Sequence, residues 1–331
     1  MTVAASLDQD CASTLKVCRA PLNNLFVCPQ TGAALTVQRG ALVSSDGRRY
    51  PIVREIPRFV TDDKYVGSFS FEWNTHTDTQ LDAFNGSASS EAIFAEKTAL
   101  RPVDVAGKLV LDAGVGAGRF SDVLSRWGAN VVGIDLSCAV EAAHANFRDR
   151  ANVMIAQADI GKLPFADGTF DLIVSIGVLH HTPSTETYFK ALVPKLKPGG
   201  RIVIWVYPNE GDYKIRNYWI PYTSRIPAEA FYDWCRWFVP WAARRRESLL
   251  VQVIHRLFPF SNQGLGMEND ILDTFDGYSP SFHGIHSNAE VTGWFADTGL
   301  AEIKALPVLT SVTGIRPSST GPAGTASTGS G

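Results

Sequence analysis

The chain has 331 residues, with 30 Lys+Arg against 33 Asp+Glu, a formal net charge of −3, and 45% hydrophobic residues. This is the composition of a globular protein of about two domains. It excludes a protein built mainly around a basic nucleic-acid footprint, and no run reaches the ~18 consecutive apolar residues of a membrane span.

The first ten residues carry two Asp and no basic cluster, so they do not read as a secretory signal. The five cysteines, Cys11, Cys18, Cys28, Cys138 and Cys235, are odd in number and scattered. The expectation is reduced thiols and a cytoplasmic location. Residues 1–20 read as a loose arm. Residues 21–61 read as a small β module, in which Leu25–Val27, Ala34–Val37 and Ala41–Val43 are separated by Gly32, Gly40 and Asp46-Gly47 in the manner of successive hairpins. Residues 62–105 read as a helical connector.

From Gly107 the pattern changes. Lys108–Leu111, Asn130–Ile134, Val153–Ala156, Leu172–Ile176 and Arg201–Tyr207 are apolar strand runs, alternating with helical spacing at Phe120–Trp127, Ala139–Arg150 and Tyr188–Leu196. Continuous Val/Ile runs between helices predict a parallel α/β sheet covered on both faces. Residues 208–286 break the rhythm, and five of the eight tryptophans lie between Trp205 and Trp241. This stretch reads as a helical lid insertion into a sheet domain of 106–207 and 287–316. Ser287–Thr298 is a last helix, Ala301–Arg316 holds two closing strands, and the Ser/Thr/Gly/Pro-rich tail, 317–331, is expected to be disordered.

The strongest local signal is Leu111-Asp112-Ala-Gly114-Val-Gly116-Ala-Gly118-Arg-Phe. A glycine-rich turn between a first strand and its helix lets a ligand approach bare backbone. Arg119 occupies the third glycine position of a dinucleotide fingerprint, and Asp112 would repel a pyrophosphate but suits an ammonium and a sulfonium. Asp135 ends the next strand, where a carboxylate accepts ribose hydroxyls. Asp159 follows the third strand, within reach of an adenine amine. Each aspartate taken singly is equally a helix N-cap or turn residue; three at successive strand ends point to a ligand.

Together with Gly133-Ile-Asp-Leu-Ser137, Gln157-Ala-Asp-Ile-Gly-Lys-Leu-Pro-Phe165, Phe170-Asp171 and Leu196-Lys-Pro-Gly-Gly200, this turn resembles the class I S-adenosylmethionine-dependent methyltransferases over about residues 106–207. Gly177-Val-Leu-His180-His181-Thr is similar to the small-molecule subgroup related to quinone C-methyltransferases. The resemblance implies a Rossmann-like seven-stranded sheet with helices on both faces, and S-adenosylmethionine as cofactor. It implies that Gly114, Gly116 and Gly118 form the methionine turn, with Asp112 near the ammonium or ordering the turn. Asp135 takes the ribose, Leu136 flanks the adenine, Asp159 and Ile160 read its edge, and Ile176 and Gly177 face the methionine amine. In similar proteins a segment such as Ser68–Leu81, here with Trp73 and Gln80, covers the cofactor; the alternative is a helix packed on the core.

Cys28-Pro-Gln-Thr31 and Arg49-Tyr-Pro-Ile52 resemble a zinc-ribbon-like module fused to some methyltransferases. A structural zinc needs four Cys/His ligands, and only Cys28 is kept, so a metal-free module is expected. One of His180 and His181 is the candidate general base and His286 the second candidate, since a positioned His contributes ~10²–10⁴-fold to proton removal; the alternatives are a turn cap near Pro183 for the pair and a surface helix entry for His286. Most lid aromatics are expected to be core, and Arg244-Arg245-Arg246 a solvated face, or one that meets an anionic substrate or a membrane surface. The expected function is methyl transfer to a hydroxyl or activated carbon of a small, aromatic or natural-product-like acceptor, with no nucleic-acid partner. The alternatives are an RNA or protein methyltransferase, a cofactor-binding scaffold, or a non-methylating enzyme on the same fold. Against amino-group methylation, the Asn/Asp-Pro-Pro-aromatic motif is replaced by Ser175-Ile-Gly-Val.

Overall fold

In a computed structural model, which describes residues 25–60, 89–261 and 266–318, the apolar runs form two sheets. The arm at 1–20, the segment holding Trp73 and Gln80, and the tail beyond 318 lie outside the described residues.

The small sheet is an antiparallel meander of β1 (Leu35–Gln38), β2 (Ala41–Ser44), β3 (Arg49–Val53) and β4 (Ile56–Pro57). The run Leu25–Val27 does not add a strand to it. Val27 bridges Ala34, and Phe26 bridges Phe165 of the larger domain. The reason is packing: the Phe26 ring lies 5.5 Å from Phe165 and 5.1 Å from Phe59, inside the main core. The Cys28 thiol sits 3.1 Å from the Tyr50 hydroxyl. Burial pushes that thiol's pKa up, but hydrogen bonds from Thr31, Tyr50 and nearby backbone outweigh it and hold the value at about 7. Among the described residues, no group of three or more His, Cys, Asp or Glu is arranged to hold a metal ion.

The large sheet has seven strands: β5 (Leu109–Ala113), β6 (Asn130–Asp135), β7 (Val153–Gln157), β8 (Phe170–Ile176), β9 (Leu196–Trp205), β10 (Ala301–Ala305) and β11 (Ser311–Ile315). Their spatial order is β10-β11-β9-β8-β5-β6-β7, and β11 runs antiparallel to its neighbours β9 and β10. Counted from β5 as the first strand, this is 3-2-1-4-5-7-6, a Rossmann-like sheet. The chain winds outward from β5 to β7, then crosses back to β8, so β5 and β8 flank the switch point where open α/β sheets bind ligands.

Helices α1 (Ser89–Thr98), α2 (Pro102–Val105), α3 (Arg119–Arg126), α4 (Val140–Asn146) and α5 (Thr185–Leu192) lie along the sheet domain. The expected helix at Tyr188–Leu196 starts and stops earlier. Ser184 caps it by accepting from the Thr187 N–H at 3.3 Å, and Pro194 confines the last turn to a short 3-10 segment before β9. Two apolar layers sandwich the sheet: one holds Leu111, Ile134, Ile173 and Ile202, the other Val110, Val131, Val174 and Val203. Alternate residues of each strand therefore go to opposite faces.

The insertion forms α6 (Gly211–Thr223), α7 (Ala228–Ala243), α8 (Leu249–Leu257) and α9 (Met267–Asp276). Phe231, Tyr232, Phe238, Phe275 and Tyr278 make a core of their own. The buried Tyr278 hydroxyl donates to the Pro259 carbonyl at 2.7 Å. A last helix, α10 (Asn288–Asp297), is capped by Ser287, which accepts from the Glu290 N–H at 3.2 Å.

Candidate functional site

The glycine turn leaves β5 in a conformation that side chains resist. Gly114 has φ of 96°, and a Cβ there would lie 2.3 Å from the Val178 methyls. Two successive amides, of Gly114 and Val115, donate to the Ile134 carbonyl at 2.8 Å and hold the turn against β6. The Gly116 N–H donates to Asp135 Oδ2 at 3.0 Å, and the Ser137 N–H and hydroxyl donate to Oδ1 at 2.9 and 2.7 Å. Burial raises the Asp135 pKa, and those bonds oppose the shift. The result is an anchored carboxylate at the end of β6.

A cavity of about 510 Å³ opens over this edge, inside the range of small-molecule sites. One end is lined by Gly114, Gly116, Asp135, Leu136, Asp159 and Ile160, and Ile176 and Gly177 border it from β8. Asp159 also caps the short helix that follows, accepting from the Gly161 N–H at 2.8 Å. Asp159 thus caps a helix and lines the cavity at once.

Asp112 and Gly118 do not line the cavity. Asp112 is 3% exposed behind the turn, where the Ser121 hydroxyl donates to it at 2.7 Å. Burial pushes its pKa up to about 7 against that bond. Its hydrogen bond goes to α3, the helix that follows the turn. Gly118 starts α3 with φ of 103°, and a Cβ there would strike the Phe147 ring.

The three candidate histidines separate. His181 lines the cavity. Its Nδ1 lies 3.0 Å from the Phe282 carbonyl, which can only accept, so Nδ1 carries the proton and Nε2 is the acceptor nitrogen. Burial pushes its pKa down to about 4, keeping the ring neutral. His180 is fully buried behind it: its Nδ1 accepts from the Tyr207 N–H at 3.3 Å, and its ring stacks on Tyr207 at 3.6 Å between centroids. His286 faces neither; its Nδ1 is 2.8 Å from Glu290 and its Nε2 2.9 Å from Thr185 Oγ1. Of the three candidate bases, only His181 lines the cavity; His180 is buried against Tyr207, and both ring nitrogens of His286 are engaged by Glu290 and Thr185.

The other end of the cavity carries residues that the sequence did not single out as site residues. Asn269, Asp273 and Asp276 come from α9, Arg216 and Tyr213 from α6, and Lys97 from α1. Burial pushes the Asp273 and Asp276 carboxyls up to about 6. The Lys97 ammonium lies 3.2 Å from the centre of the Trp205 ring, and burial pulls its pKa down to about 7. One signal was present: Asn269, Asp273 and Asp276 fall at i, i+4 and i+7, a polar stripe on a helix whose Ile271, Leu272 and Phe275 are buried. Of the lid aromatics, Tyr213 reaches the cavity, while Phe231, Tyr232 and Phe238 are core.

Residues 111–204 match the methyltransferase domain family. A ubiquinone biosynthesis O-methyltransferase of Acinetobacter baylyi is 28% identical over 141 residues, covering 41% of this chain and 59% of the relative. Phosphoethanolamine N-methyltransferase 2 of Caenorhabditis elegans is 36% identical over 107 residues, covering 30% of this chain and 24% of the relative. A solved S-adenosylmethionine dependent methyltransferase from Mesorhizobium loti is 29% identical with a TM-score of 0.31, covering 38% of this chain and 59% of that one. The chain spans about three-fifths of the first curated relative it matches.

Proposed function

We propose that the chain transfers a methyl group from S-adenosylmethionine to a small acceptor bound between the sheet edge and the lid. The observation that carries this reading is one continuous cavity with two chemically distinct ends. One end is the glycine turn with Asp135 and Asp159; the other is the lid face with Tyr213, Arg216, Asp273 and Asp276.

The donor set fits the cofactor. Asp135, fixed by three hydrogen bonds and bordering the cavity, suits a vicinal diol. Leu136 offers an apolar wall for a purine, and Asp159 an acceptor for its exocyclic amine. Arg119, at the cavity wall beside the glycine turn, suits the carboxylate of an amino-acid group. When bound, the cofactor supplies an electrophilic methyl on a positively charged sulfur. The protein's part is alignment and proton management. Trp205, Tyr207 and Tyr213 form an aromatic wall for a flat acceptor, and the α9 carboxylates accept hydrogen bonds from its hydroxyl or amine groups. His181 Nε2 takes the proton that a hydroxyl or activated carbon must lose.

A methyl-labelled cofactor, offered with hydroxylated aromatics, small amines and tRNA, tests the reading. The expected result is label on a small hydroxylated aromatic, absent with Asp135→Ala. Label on tRNA or protein, with every small acceptor left unlabelled, would overturn it.

A further inference from the structure

We infer that the outer face of the lid is a docking surface for a membrane leaflet containing anionic lipid. No helix among the described residues is long and apolar enough to cross a bilayer, so the contact is one of lying on the surface.

Residues 213–261 carry eight Lys/Arg and three Asp/Glu, in a chain of net charge −3. The same stretch holds nine of the fourteen large apolar side chains that are exposed among the described residues. They do not scatter. The turn between α7 and α8 is exposed at every position from 244 to 250, which reads Arg-Arg-Arg-Glu-Ser-Leu-Leu, with Leu249 79% and Leu250 60% exposed. On α8, Leu250, Val253 and Leu257 fall at i, i+3 and i+7, opposite the buried Val251. Trp237 of α7, and Tyr218 and Tyr222 of α6, are exposed as well.

Contacts along the surface join these helices. The Trp219 indole donates to the Leu257 carbonyl at 2.6 Å, fastening α6 to the end of α8. The Phe258 ring lies 5.8 Å from Trp219 and 5.6 Å from Trp234, linking α6, α8 and α7. A helix that faced only water would place polar residues on that stripe, and exposed apolar area on this scale marks an interaction site. Tryptophan, tyrosine and leucine mixed with arginine is the composition that settles at a lipid headgroup boundary.

Charge selects the occupant. A second copy docked face to face would set each arginine cluster near its symmetry mate, at a cost from like charges. An anionic leaflet complements Arg225, Arg236, Arg244, Arg245, Arg246 and Arg256, all exposed. Helix α6 then joins two tasks, since it sends Tyr213 and Arg216 to the cavity and Tyr218 and Tyr222 to the surface.

The test is co-sedimentation of the full chain with large unilamellar vesicles. One set is phosphatidylcholine alone, and the other contains about a third phosphatidylglycerol. Binding is expected to the anionic set, about tenfold weaker or more on the neutral set, and weaker again when salt rises from about 0.1 to about 0.5 M. The triple change Arg244→Ala, Arg245→Ala, Arg246→Ala is expected to lower the partition on the order of a hundredfold. The change Trp237→Ser, Leu249→Ser, Leu250→Ser is expected to lower it about tenfold or more. All six side chains are exposed, so circular dichroism melts of both variants should match the parent. No partition into anionic vesicles, or a partition that neither variant changes, overturns the inference. So does sedimentation velocity that finds a stable dimer dissociated by the leucine variant, which would make this face a contact between copies.

Discussion

His181 and His286 were both base candidates in the sequence, His286 the second of them, and they differ in what their ring nitrogens meet. The Phe282 carbonyl fixes Nε2 as the acceptor nitrogen of His181, a residue that lines the cavity, whereas Glu290 and Thr185 engage both nitrogens of His286. His181→Ala is expected to slow single turnover on the order of a hundredfold with cofactor affinity unchanged. His286→Ala should leave turnover within about threefold and lose about 1 kcal/mol of stability. Equal effects of the two on turnover would remove His181 as the base. Asp112 gives a prediction in pH. Its folded pKa, about 7, lies above the ordinary carboxylate value near 4. As pH rises through that window the unfolded chain releases a proton that the folded chain keeps, so stability falls; above about 7 the loss is complete. Asp112→Asn keeps an acceptor for Ser121 and removes the titration. The variant's stability should match the parent near pH 4 and exceed it by a few kcal/mol at pH 8, read from melts at the two pH values. A gap that does not change with pH would contradict this placement.

At the scale of elements, α9 decides how the acceptor end responds to pH. Asp273 and Asp276 have carboxyls pushed up to about 6 by burial, while the His181 ring is already neutral there. The rate at low acceptor concentration is therefore expected to rise with pH through about 6, as the pair ionises. The double change Asp273→Asn, Asp276→Asn should flatten that limb; an unaltered limb would assign it elsewhere. The two halves of the site were not equally legible in the sequence. The strand runs are mostly apolar and β-branched, and Leu172–Ile176 anticipates β8 closely because four of its five residues are large and apolar and the fifth, Ser175, is small and buried. The glycine turn was legible because glycine has few other reasons to recur every second residue. The lid was not. On α7, Phe231, Tyr232 and Phe238 turn inward while Trp234 and Trp237 turn outward, so the apolar period that marks a buried face is lost. On α9 the polar stripe of Asn269, Asp273 and Asp276 was present in the sequence, but nothing local ties that face to the cavity.

Over the whole molecule, the small sheet and the large one share a core. Phe26, Leu42, Tyr50 and Phe59 pack in the same cluster as Leu111, Ile134 and Ile173. Arg58 fastens the two: it donates to Gln157 at 3.1 Å and pairs with Glu141, and the Phe59 N–H donates to the Gln157 carbonyl at 2.8 Å. The pairing of a short N-terminal run with Phe165, far away in the chain, has no local signature and could not be read from hairpin spacing. One cooperative melting transition is expected for the two sheets, with Arg58→Ala lowering stability by about 1–3 kcal/mol, since Glu141 and Gln157 lose a partner at a partly buried seam. Two separate transitions would show that the module folds alone.

The proposed activity requires that the glycine turn, Asp135 and Asp159 form a site for S-adenosylmethionine. Calorimetric titration with S-adenosylhomocysteine, with NAD as the comparison ligand and Asp135→Ala as the control, tests it most directly. The expected result is a dissociation constant on the order of micromolar for S-adenosylhomocysteine, no heat with NAD, and an affinity reduced about tenfold or more in the variant. Equal binding of NAD, or binding that Asp135→Ala leaves intact, would contradict it.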